Sequence, residues 1–324
     1  MAGLRFSAAR LTPSRRLLVI ARWGIGLALV ALLLTRFDAA AVLRTLRGAD
    51  LRIAIPAILG LVAMHLLGAA TWRWLVARLA GHSLGWRSAI RTYYIAQAVG
   101  GLTPANLGAD AYRLVVAPDS GMAWRDGLLP IVVQRIGSSL GLGVLAVTSL
   151  VLLPQASDLA PIVVATAVVL VAGSVVLLVF TRRSRSSAPG GTDRPRGELF
   201  GAYAVAFALG LAFHAGSIGL SYLLVVAVTG GQAVPVLACL AISRLSILVP
   251  ISPSGLGIQE GALTLLFVRI GLPAEVALAA ALLNRLAMLL VGMLGTALLA
   301  GGRSDHRSRN VALGSTPPGR ARAA

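Results

Sequence analysis

Residues Ser252-Pro253-Ser254-Gly255-Leu256-Gly257-Ile258-Gln259-Glu260 form a polar, glycine-rich stretch that ends on an acid and lies between strongly apolar segments. Pro253 lacks the N–H that a continuous helix requires and the glycines favour non-helical backbone, so a helix breaks here. A break in hydrocarbon would leave peptide groups without partners, so protein or trapped water must surround it. A second stretch, Thr103-Pro104-Ala105-Asn106-Leu107-Gly108-Ala109-Asp110, repeats the order of hydroxyl, proline, two residues, Leu-Gly and acid, with the acid one residue earlier. From each acid a spacing of about 25 residues leads to an amide and an arginine inside an apolar run, Gln134-Arg135 after Asp110 and Asn284-Arg285 after Glu260. Matching chemistry at matching long spacing reads as an internal duplication whose halves build one site.

Of the 324 residues, 57% are hydrophobic and only 12% charged, more apolar surface than a soluble core absorbs. The expected class is therefore all-α, a polytopic helical membrane protein. The formal charge of +18 comes from Arg alone, with no Lys in the chain. Most of this Arg falls in tails and loops, where it faces anionic lipid headgroups and fixes orientation, so no nucleic-acid partner is expected. The lone Cys239 sits in an apolar span and reads as packing. No Cys/His metal spacing, nucleotide-binding loop or Ser/His/Asp order stands out, so no metal, cofactor or enzymatic activity is expected.

In chain order, a basic arm at 1–16 precedes a first span at 17–35, which is too long for a signal-peptide core. Residues 36–50 have the spacing of an amphipathic interfacial helix. A second span at 51–71 contains His65, read as a packing residue, and the stretch 72–91 reads as a basic connection anchored by Trp72, Trp74 and Trp86. Residues 95–102 are too short to cross before Pro104, so they and the run after Asp110 are predicted to form a re-entrant hairpin. Spans follow at 128–153 and 161–180, then a basic linker at 181–198. The second half holds a span at 199–228 with His214, Ser217 and Ser221, a broken hairpin over 234–270, a last span at 274–300 and a basic, disordered tail at 301–324. The transmembrane domain is thus 17–300, with halves at 17–180 and 199–300.

If both broken segments re-enter, the linker and both termini fall on the cytoplasmic side, as the positive-inside tendency requires, and the basic stretch 36–52 falls outside. The hairpins then come from opposite faces, giving six full spans, two hairpins and an inverted repeat in the cell membrane. Half-helix N-termini at the breaks would favour an anion, and Arg135, Arg244 and Arg285 could grip a phosphate bidentately. Arg135 and Arg285 lie roughly 12–17 Å into their spans, where an unpaired charge costs about 2.5–3.5 kcal/mol. Two readings stay open. Asp110 and Glu260 could pair with these arginines to lock the halves together, or the surplus cations, with Arg113 among them, could hold an anionic headgroup.

The stretches Pro104-Ala105-Asn106-Leu107-Gly108-Ala109-Asp110-Ala111-Tyr112-Arg113 and 253–260 resemble motifs of the transmembrane region of lysylphosphatidylglycerol synthases, also called the flippase-like domain family. The resemblance implies a headgroup-site role for Pro104, Gly108, Asp110 and Arg113, and for Pro253, Gly255, Gly257 and Glu260. Ser254 stands where that family commonly has glycine. With Asn106, Arg135, Ser254, Asn284 and Arg285 added from the repeat, and Arg244 as a further guanidinium that could grip a phosphate, these residues make the expected substrate site. The synthases' soluble aminoacyltransferase domain has no expected counterpart after Ala300. The implied function is binding a membrane phospholipid or lipid-linked anion and moving it between leaflets. The alternatives are a non-catalytic module presenting a lipid to a separate glycosyl- or aminoacyl-transferase, and a scaffold without a ligand.

Overall fold

In the bilayer only structures that satisfy their own backbone are stable, and the computed structural model, which describes residues 13–116, 122–152, 158–186, 196–231, 234–248 and 251–314, is helical with no strand among those residues. Helices α1 (Pro13–Arg36) and α2 (Ala39–Arg47) meet at 92°. The Asp38 carboxylate caps α2 by accepting the Ala40 N–H, and Asp50 caps α3 (Leu51–Leu75) through the Arg52 N–H, both at 2.8 Å. There follow α4 (Trp86–Gly101), α5 (Leu107–Val116), α6 (Trp124–Ser149), α7 (Ala160–Ser186), α8 (Arg196–Thr229), α9 (Pro235–Ser243), α10 (Ile258–Arg269) and α11 (Ala274–Gly314).

Contacts at the helix ends fix the course of the chain. At one end the Asp50 N–H donates to the Ala227 carbonyl at 2.8 Å, so α3 begins where α8 finishes. Val42, Val228, Leu278 and Ala279 pack there, bringing in α2 and the start of α11. Arg269, at the end of α10, makes two 2.8 Å bonds to Asp158 in the turn between α6 and α7, and this pairing holds the exposed Asp158 carboxyl below the usual carboxylate range. At the other end Arg78 lies 3.4 Å from Glu198, and Leu75, Leu79, Leu129, Val133, Ala202 and Ala206 join α3, α6 and α8. Met122 packs with Trp72, Leu84 and Ala89 at that end, with Leu114 against them, so α5 returns to the end from which α4 started. The pair α9 and α10 does the same from the opposite end. The two breaks meet inside the bundle, where the Ser254 N–H donates to the Thr103 carbonyl at 3.3 Å. This is the inverted repeat expected from the sequence.

By length and apolarity, Leu51–Ala80, Asp126–Ser149, Glu198–Thr229 and Ala274–Gly301 can each cross a membrane, and the bent pair α1 and α2 adds a fifth candidate. This gives four or five such spans among the described residues against the six read from hydropathy, because the described apolar part of α7, Ala160–Val176, is shorter.

Three boundaries move. The stretch 72–91 is not a simple connection: α3 continues through a wide turn, Val76–Ala80, and α4 starts at Trp86. Its arginines ended the apolar signal without ending the helix, because Arg73 donates to the Leu84 carbonyl at 2.7 Å and stacks on Trp86. Trp72 is buried rather than an interface anchor. The last helix runs to Gly314, so 301–314 are helical where composition reads as a disordered tail. The rest of that tail, the arm at 1–12 and the middle of the linker, 187–195, lie outside the described residues.

Small residues set the central crossing of α6 and α8. A Cβ at Gly137 would lie 2.4 Å from the Ala206 carbonyl carbon, and one at Gly141 would lie 2.7 Å from the Leu211 nitrogen. This is close backbone approach of the kind small-xxx-small spacing permits. Gly137→Ala should therefore lower stability in detergent by about 1–3 kcal/mol through overpacking against backbone. Gly143→Ala, whose Cβ would find its nearest neighbour at 3.7 Å, should not, and thermal unfolding of the two purified variants checks the contrast.

Candidate functional site

The two breaks share one backbone path. Thr103 (φ −125°, ψ 149°) and Ser252 (φ −121°, ψ 159°) are extended, a proline follows each, and the next two residues turn left-handed. These are Ala105 (φ 49°) and Asn106 (φ 58°) in the first half, and Ser254 (φ 47°) and Gly255 (φ 70°) in the second. Leu107 then begins α5 directly. Leu256 instead stays extended (ψ 128°) and Gly257 (φ 79°) is interposed before α10. Two residues thus precede α10 where none precedes α5, and the acid is the third residue of α10 but the fourth of α5, so the second acid comes one position later.

Left-handed backbone at Ala105 and Ser254 costs roughly 1–2 kcal/mol each. In both halves the carbonyl of this residue is held by the intramembrane arginine. Arg135 Nη2 donates to Ala105 O at 2.6 Å and Arg285 Nη1 to Ser254 O at 3.2 Å. The same guanidinium groups bond the acids, Arg135 Nη1 to Asp110 Oδ2 and Arg285 Nε to Glu260 Oε1. Each arginine therefore ties the acid to the break of its own half. The expectation that these pairs lock one half to the other is corrected: the spacing of about 25 residues is a contact within a half.

At the half-helix N-termini the chain itself takes up one N–H of each break. The Gly108 N–H donates to Thr103 Oγ1 at 2.7 Å, and the Gly257 N–H to Glu260 Oε2 at 2.7 Å. Asp110 and Glu260 lie in the first turns of α5 and α10, where the helix dipole favours their charge.

Beyond this core the halves differ. Asp110 Oδ1 accepts a second guanidinium, from Arg113 Nη2 at 2.7 Å. Arg113 also donates to Gln134 Oε1 at 2.8 Å, and its charge lies 5.5 Å from the Tyr93 ring centre and 6.0 Å from that of Trp72. Gln134 in turn donates to the Gly68 carbonyl at 2.9 Å. In the second half Leu263 stands three residues after the acid, and among the described residues Asn284 bonds the Ala280 carbonyl of its own helix. Arg244, in the short turn after α9, is 7% exposed and is held by Ser217 Oγ at 3.0 Å, Ser217 O at 3.1 Å and Ser221 Oγ at 3.0 Å, with no carboxylate partner among the described residues.

A cavity of about 850 Å³ opens between the halves, and Asn106, Asp110, Arg113, Arg135, Arg244, Pro253, Ser254 and Arg285 line it. Glu260 and Asn284 line a separate pocket of about 20 Å³, room for one water, which also touches Arg244 and Arg285. Pro104, Gly108, Gly255 and Gly257 line neither and shape the breaks. Sequence reasoning missed Tyr93, Gln97, Ser138 and Phe213, and His65 and His214 reach the same cavity. Ser138 Oγ and His214 Nε2 are 3.0 Å apart, and Gln97 accepts from Asn106 at 3.1 Å. One signal was present, since His214, Ser217 and Ser221 form a polar stripe at helical spacing on an apolar helix. Among the described residues no group of three or more His, Cys, Asp or Glu could hold a metal ion.

The cavity wall on the outer side is apolar, with Leu102, Leu289 and Met293 at 60%, 54% and 65% exposure. A polar floor with four guanidinium groups thus continues into a surface suited to lipid. Residues 18–295 match the family described as the Lysylphosphatidylglycerol synthase TM region, a span that takes in both breaks and all four arginines. The chain belongs to that family. No curated protein sequence matches it. The family match covers a multi-pass membrane domain associated with lipid handling, and no catalytic domain is evident in it.

Removing one arginine should affect the halves unequally. Arg285→Ala leaves Glu260, at 2% side-chain exposure, with only the Gly257 N–H, and should cost about 3–5 kcal/mol. Arg135→Ala leaves Asp110 paired with Arg113 and should cost roughly 1 kcal/mol. Unfolding of the two variants in detergent measures the difference, and Glu260→Gln added to Arg285→Ala should recover part of the larger loss.

Proposed function

We propose that the cavity binds the headgroup of an anionic phospholipid or lipid-linked phosphate and passes it between leaflets while the acyl tails stay in the bilayer. The observation that carries this reading is the convergence of Arg113, Arg135, Arg244 and Arg285, from both halves, on one cavity with an exposed apolar wall. Guanidinium groups bind phosphate by charge-assisted, often bidentate hydrogen bonds, and they do so most strongly away from bulk water. An inverted pair of hairpins supports access from either side, because each break is reached from a different end of the bundle. The end that holds the α7 to α8 connection is assigned to the cytoplasm by the positive-inside tendency. In this reading no catalysis is required of the chain, and the energy of net movement comes from a gradient or a downstream consumer of the lipid.

Reconstitution in liposomes with fluorescent anionic and zwitterionic phospholipids, read by dithionite quenching, tests the proposal. The wild-type protein should speed exchange of the anionic lipid, and Arg244→Gln should slow it by about tenfold or more, the equivalent of ~1.4 kcal/mol. Folded protein that exchanges no lipid would contradict translocation and turn the assignment to a module that holds a lipid for a separate transferase.

A further inference from the structure

The ionisable side chains on the large cavity are Asp110, Arg113, Arg135, Arg244, Arg285, His65, His214 and Tyr93, with Glu260 bound to Arg285 just behind it. With both histidines neutral, four arginines against two acids leave a formal charge of +2 among the described residues. Neither acid is available to a cationic headgroup. Asp110 gives one oxygen to each of two guanidinium groups, and Glu260 divides its oxygens between Arg285 and the Gly257 N–H. The surplus is also located. One positive charge belongs to the Arg113, Asp110 and Arg135 cluster on the first half. The other is Arg244 on the second half, whose partners among the described residues are neutral oxygens of Ser217 and Ser221. Buried charge without a counter-ion is costly in a low dielectric, so the ligand best held is one that neutralises both positions.

We propose that this ligand is a lipid ending in a phosphomonoester, whose terminal phosphate lies between the Arg113 and Arg135 pair and Arg244. The proposal rests on the lipid-site reading above and narrows it. A phosphodiester headgroup offers one negative charge and two terminal oxygens. A phosphomonoester offers three terminal oxygens and, above its second pKa of about 6, close to two charges. Charge and oxygen count both favour the monoester for a site with two separated cationic positions. Free phosphate carries the same group but has no use for the apolar wall at Leu289 and Met293.

The test is equilibrium binding of short-chain phosphatidic acid, phosphatidylglycerol and phosphatidylcholine to the purified full chain in neutral detergent. At about pH 8 phosphatidic acid should bind at least ~10-fold more tightly than phosphatidylglycerol, and near pH 5, where it loses its second charge, the ratio should fall to within about threefold. Phosphatidylglycerol does not titrate in this range, so it reports any change in the protein itself. Arg244→Gln should remove most of the preference and Arg244→Lys should keep part of it. If Arg244→Gln does not fold, the wild-type ratio and its pH dependence still decide. Equal affinity for the two anionic lipids, both above phosphatidylcholine, overturns the phosphomonoester inference and leaves the anionic-lipid site standing. Equal binding of all three overturns both. Displacement of phosphatidic acid by inorganic phosphate at equal concentration overturns the lipid as the source of the group.

Discussion

The bond from each intramembrane arginine to the carbonyl of a left-handed residue, shared with a carboxylate of the same half, is the interaction on which the rest of the structure depends. A helix broken in the middle of a bundle needs partners for its peptide groups, and left-handed Ala105 and Ser254 add strain. Arg135 and Arg285 meet both demands with one side chain each, and Asp110 and Glu260 compensate their charge. Each element makes the others tolerable. Without the acid the arginine is an unpaired charge, and without the arginine the break loses the partner of its strained carbonyl.

Because this unit closes within a half, the halves meet elsewhere, through the Ser254 to Thr103 backbone bond, the tight α6 to α8 crossing, the packing of α3 on α8 and that of α4 on α11, where a Cβ at Gly295 would lie 2.1 Å from the Tyr94 carbonyl oxygen. The two breaks pack against each other, and the cavity lies beside them, with Ala105, Asn106, Pro253 and Ser254 on its wall. Divergence between the halves then supplies its chemistry. Arg113 has become a second cation on the first acid, Leu263 holds the corresponding position in the second half, and Arg244 restores a cation there from another element.

Much of this was legible in the sequence because the duplicated residues carry incompatible demands. A proline followed by glycine and polar residues in an apolar run reads as a break, where Pro56 and Pro130 standing alone leave α3 and α6 continuous, and an acid with an arginine at a repeated long spacing reads as a candidate pair. The partners of those pairs were less legible. Long spacing says that residues communicate without saying whether they meet within a half or across halves, and only the hairpin geometry decides. Arg244 gave a weaker signal still, because its partners are neutral oxygens on α8 whose spacing reads equally as a packing stripe. The stretch 72–91 misled for a different reason. Hydropathy falls wherever arginine appears, yet Arg73 and Arg78 find a carbonyl, an indole and a carboxylate at the bundle end, and the helix passes through.

The central claim is that two hairpins from opposite faces build one headgroup cavity. It is tested most directly by an experimental structure of the protein in nanodiscs that contain anionic lipid. The account requires both breaks to lie at mid-bilayer, with a lipid phosphate within hydrogen-bonding distance of Arg244 and Arg135. A cavity filled by acyl chain alone with phosphates confined to the two bilayer surfaces, or a first hairpin that crosses the membrane fully, would contradict it.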